Sequence, residues 1–63
     1  MSPTAEAIIE EIRARPRQFS ELADTHRDLP WPEFLRAWGE VRRADILGRD
    51  GDGNYILAEQ KGS

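Results

Sequence analysis

Apolar residues in this chain recur every three or four positions up to about Asp45, and every second position after it. The first spacing marks one buried stripe of a helix, the second one face of a strand. A single change of period, late in the chain, predicts an α+β fold with helices first and a hairpin last. The 63 residues leave room for one domain, 1–63, near the lower size limit for a core that stands alone.

Proline and capping residues divide the helical part. Ser2 suits an N-cap and Pro3 a first helical position, where a missing N–H costs nothing. Ala5, Ile8, Ile9 and Ile12 then form one stripe, and Pro16 ends the helix at or before Arg15. Arg17-Gln18-Phe19 reads as a short extended piece. Ser20 reads as the N-cap of a brief second helix, from Glu21 to about His26. The Pro30-Trp31-Pro32 cluster separates this from a third helix, about Pro32 to Asp45. Its inner stripe is Phe34, Ala37, Trp38, Val41 and Ala44. Ile46–Arg49 and Asn54–Leu57 read as strands joined by the turn Asp50-Gly51-Asp52-Gly53. Residues 1–2 and 58–63 are expected to fray.

The third helix carries a more specific pattern. From Phe34, apolar residues follow at Trp38 and Val41, a small one at Ala44, a tight stop at Asp45, and strand residues at Ile46 and Leu47. This spacing, with Phe19-Ser20-x-Leu22-Ala23 opening the second helix, resembles the winged helix-turn-helix superfamily over nearly the whole chain. Asp45 stands where many members have glycine. The resemblance implies three helices, a C-terminal wing at 46–57, and a third helix that enters the DNA major groove. It further implies DNA contacts from the outward residues Pro32, Leu35, Arg36, Gly39 and Arg43, with Arg49 and Arg17 reaching phosphate. The expected role is transcription regulation on double-stranded DNA. A small α+β domain with an unrelated hairpin would share the same elements.

Charge bears on this in both directions. The chain is acidic overall, with a net charge of −3. Residues 35–49 nonetheless carry +2, with Arg36, Arg42, Arg43 and Arg49 against Glu40 and Asp45. Glu33 and Glu40 stand at ion-pairing distance in sequence from Arg36, and Glu40 from Arg43. Asp50 and Asp52 occupy the turn where many DNA-binding wings are basic. A second class of function follows: a winged-helix module that docks onto a larger enzyme or complex, using Trp31 and Leu35. Tryptophan is enriched at such hot spots. The plainer reading of Trp31 is a hydrophobic cover over the start of the third helix. A homodimer would have to use the first helix or the hairpin edge.

Other chemistry finds little support. Asp50-x-Asp52-x-Asn54 begins like a calcium loop but has Tyr55 and Lys61 at its sixth and twelfth positions. The single histidine, His26, has no nucleophile or metal partner in the pattern, so no catalytic site, metal or cofactor is expected. With no cysteine, no signal-peptide pattern and no apolar run long enough to span a bilayer, the expected compartment is cytoplasmic, without membrane contact.

Overall fold

A computed structural model of the chain describes residues 1–60, the side chain of residue 60 aside. Helix α1 spans Pro3–Ala14, α2 Phe19–Thr25 and α3 Trp31–Arg43. Strands β1 (Leu47–Arg49) and β2 (Tyr55–Leu57) form an antiparallel pair, followed by a 3₁₀ turn over Ala58–Gln60. The fold is α+β. No helix among the described residues is long and apolar enough to cross a membrane.

α1 begins as its sequence dictates. The Ser2 hydroxyl accepts the Ala5 N–H at 3.1 Å, and Pro3 takes the first helical position. Ser2 is not frayed, because its own N–H donates to the Glu40 carboxylate of α3 at 3.1 Å. α2 starts earlier than its sequence suggests, with Gln18 rather than Ser20 as the cap. Glu21 decides this: its carboxylate accepts the Gln18 N–H at 2.9 Å, and its own N–H bonds the Gln18 carbonyl. That reciprocal closure satisfies helix-end donors that Ser20 would leave open. Phe19 therefore lies inside α2.

α3 begins one residue earlier than the pattern indicates, at Trp31, and ends at Arg43. Asp45 stops it with φ 56°, a left-handed conformation that Asp tolerates better than most residues. Ala44, expected on the inner stripe, is the C-cap of the helix and is exposed. Phe34, Ala37, Trp38 and Val41 are buried against Ala5, Ile8 and Ile12 of α1, Leu22 of α2 and Leu57 of β2. Phe19 sits among the aromatic rings, with centroids 5.8 Å from Phe34 and 5.3 Å from Trp38.

The hairpin pairs Leu47 with Leu57, Gly48 with Ile56 and Arg49 with Tyr55. Its turn is built by Asp50, whose carboxylate accepts the N–H groups of Asp52 and Asn54, both at 2.9 Å, and the Asn54 side-chain amide at 3.3 Å. The calcium-like spacing is thus a self-bonded turn. Arg17 adds a bridge on the other edge of β2, exchanging backbone hydrogen bonds with Tyr55. The segment after β2 is also anchored, against the expected fraying: Ala58 N–H donates to the Ile46 carbonyl, and Glu59 pairs with Arg13 at 2.7 Å. Residues 61–63, expected to fray too, lie outside the described part.

Candidate nucleic-acid interface

The outer face of α3 follows from helix geometry. At about 100° per residue, Pro32, Arg36, Gly39 and Arg43 lie opposite the buried stripe. Leu35 and Arg42 flank them on one side, Glu33 and Glu40 on the other. Residues three and four apart are surface neighbours on a helix. Gly39 is therefore ringed by Leu35, Arg36, Arg42 and Arg43. All four ring residues are exposed, and Gly39, Arg42 and Arg43 line a shallow depression. A Cβ placed on Gly39 would meet nothing within 4 Å, so no neighbouring element requires a glycine there.

The ion pairs expected on α3 do not form. Among the described residues, Arg36, Arg42 and Arg43 have no carboxylate within 4.0 Å. Glu40 instead receives the Ser2 N–H. Hydrogen bonding from Ser2, through its side chain first and then its backbone, holds the Glu40 carboxyl below the usual carboxylate range. Packing of α1 thus engages the Glu40 carboxylate, which still feels the Arg43 charge without forming an ion pair with it. Glu33 lies on the same flank, in a hollow shared with Ser2, Thr4, Arg36 and Glu40.

The other candidate arginines gather around Tyr55. Arg17 and Arg49 pair with it from opposite edges, and directly opposed residues share a sheet face. Tyr55 rests on Trp38, with ring centroids 5.0 Å apart and nearly perpendicular. Arg49 is committed to its own hairpin: it donates to the Gly53 carbonyl at 3.2 Å and the Tyr55 hydroxyl at 2.8 Å. Its guanidinium carbon also lies 4.2 Å from the Tyr55 ring centroid. Arg17 is half-buried, and its Nε is shut from solvent with no hydrogen-bond partner among the described residues. The structure therefore makes two groups of the expected contacts: a free set on α3 and a set fastened around Tyr55.

Trp31 is 54% exposed and Leu35 41%. Trp31 stacks on Phe34 at 5.6 Å and meets Phe19 edge-on at 6.3 Å, so one part of its ring covers the core while the rest faces outward. Beside it, Phe19, Ala23 and Leu29 line an open groove of about 580 Å³.

Two features escape the sequence pattern. Arg42 is exposed like Arg43 and shares its depression; its flank position on the helical wheel was the available signal. His26 bonds the Glu11 carboxylate at 2.9 Å and stacks on Phe34 at 6.0 Å, joining α1 to the end of α2. Their separation of 15 residues left no local signal. Among the described residues no three His, Cys, Asp or Glu side chains are grouped to hold a metal ion. Comparison with protein-family models, curated proteins and solved structures finds no match for this chain.

Proposed function

We propose that the chain is a small winged-helix DNA-binding protein, with α3 as its recognition helix and the hairpin as its wing, acting in transcription regulation. The observation that carries this is the outer face of α3: three exposed arginines with no ion pair among the described residues, set around a glycine. Unpaired guanidinium groups are suited to phosphate oxygens and to guanine edges, which they can hold through two hydrogen bonds. The acidic turn weighs against close phosphate contact by the wing tip: hydrogen bonds, that of the Asn54 N–H contributing most, hold the Asp50 carboxyl below the usual carboxylate range and so ionised, and Asp52 is exposed.

The test is an NMR titration with a random-sequence duplex at low salt. Shifts are expected across Arg36–Arg43 and at Arg17. With roughly four phosphate contacts, log K should fall against log salt with a slope of about −3.6. Absence of any shift on α3 at low salt would falsify this reading.

One observation favours a protein partner instead: the half-exposed Trp31 beside the groove of Phe19, Ala23 and Leu29, with Leu35 exposed nearby in sequence. In that case Trp31→Ala removes partner binding, and Arg43→Ala has little effect. The bare positive face of α3 weighs toward DNA.

A further inference from the structure

We infer that Gly39 is the point of closest approach between α3 and a DNA duplex, a notch in which a base-pair edge seats against bare backbone. The inference rests on the DNA reading above and deepens it. A glycine inside a helix costs about 1 kcal/mol relative to alanine, and Gly39 is half-buried. The usual structural reasons for accepting that cost are missing. Gly39 lies in the middle of α3, away from both caps. It is not among the glycines with positive φ, and a Cβ there has open space around it. What surrounds the notch is chemically one-sided: Leu35, Arg36, Arg42 and Arg43 at helical spacing, with Glu33 and Glu40 on the flank beside the start of α1.

The dimensions suit a helix lying along the major groove. Arg36 and Arg43 are seven residues apart, about 10.5 Å along the axis at 1.5 Å per residue. Base pairs rise by about 3.4 Å each, so the two arginines reach positions about three base pairs apart. Gly39 faces the floor between them. The groove floor carries thymine methyl groups as its apolar projections, and a missing Cβ leaves room for one. Side chains at this position would lift the helix away and lengthen the arginine contacts on both sides.

The experiment compares the full chain with Gly39→Ala and Gly39→Leu in three measurements. These are urea unfolding, binding to a random-sequence duplex, and binding to heparin, a flexible polyanion without a groove. Gly39→Ala should raise the urea midpoint by about 0.5–1 M, from the helix propensity gained and a slope near 1 kcal/mol per molar. The same variant should weaken duplex binding about tenfold, equivalent to about 1.4 kcal/mol, with Gly39→Leu weaker still. Heparin binding should stay unchanged, because the arginines remain. Duplex binding equal to wild type in both variants overturns the notch and leaves the DNA reading standing. A lower urea midpoint in Gly39→Ala also overturns it, by showing a structural need for glycine. If the wild-type chain binds no duplex at all, the DNA reading itself fails.

Discussion

The outer face of α3 and the hairpin both present arginine, and they use it in opposite ways. Arg49 is held by the Gly53 carbonyl, the Tyr55 hydroxyl and the Tyr55 ring. Arg36, Arg42 and Arg43 hold no carboxylate among the described residues. The same side chain is a brace in one region and a free donor set in the other. The difference lies in where potential partners sit. A hairpin folds its own acceptors back onto itself within a few residues. An isolated helix face offers only side chains three or four positions away, and on α3 those acids lie to one side. Three arginines elsewhere are paired with carboxylates: Arg13 with Glu10 and Glu59, Arg15 with Glu21, and Arg27 with Asp24. Most such exposed pairs contribute little to stability, but they remove charge from the surface. Among the described residues, α3 keeps three neighbouring arginines without an ion pair.

The two regions meet at Trp38, so its removal should disturb both. Trp38→Ala takes away the ring beneath Tyr55 and a wall of the core. It should destabilise the protein by about 3–5 kcal/mol, seen as loss of the cooperative urea transition. If the chain melts as before, the hairpin is not supported through this contact.

A smaller effect should separate the two uses of arginine. Arg36→Ala and Arg43→Ala should each weaken duplex binding by about 1–3 kcal/mol, if they reach base edges. Their stability should stay within about 0.5 kcal/mol of wild type, as for surface sites without partners. Fluorescence anisotropy and urea melts on the same samples provide both numbers. Arg49→Ala should behave the other way round. It loses a cation–π contact worth about 0.5–1 kcal/mol, and its duplex affinity should change less than for either α3 variant. A larger binding loss at Arg49 than at Arg43 would reverse the comparison.

The smallest effect concerns pH. Glu21, Glu40 and Asp50 are held below the ordinary carboxylate range: Glu21 chiefly by the Gln18 N–H, Glu40 by Ser2, Asp50 by the Asn54 N–H. Their folded values are lower than their unfolded ones. The stability they contribute is therefore complete above the unfolded carboxylate range, and is lost as pH falls through the depressed folded values. Melting temperatures from circular dichroism should hold down to about the ordinary carboxylate range and drop below it. Asp50→Asn should flatten the hairpin's share of that drop, and Glu40→Gln the share that ties α1 to α3. An unchanged acid profile in both variants would mean that these hydrogen bonds do not couple to folding.

Much of the scaffold was readable before any coordinates. Pro3, Pro16 and Pro30 punctuate the helices where sterics demand, and Phe34, Trp38 and Val41 repeat at the period that buries one stripe. Asp45 was legible as a stop only through the spacing of the resemblance, in which many members carry glycine at that position. The misjudged start of α2 has a local cause. Ser20 is a good cap in isolation, but Glu21 reaches back to Gln18 and closes the turn two residues earlier. The list of outward α3 residues was likewise legible, since helical spacing alone decides which side chains leave the core. Their freedom from ion pairs was not.

The sequence by itself determined the elements, their order and the residues that face outward, because these depend on spacing, caps and backbone sterics within a few positions. Tertiary structure decided which charged groups are spoken for. The Ser2 N–H reaches Glu40 only because α1 packs on α3. Arg17 and Arg49 flank Tyr55 only because the chain between them folds back. Local rules fix where a side chain can reach. Which partner it takes depends on the groups that packing carries into that reach, from residues 38 positions away in the case of Ser2 and Glu40.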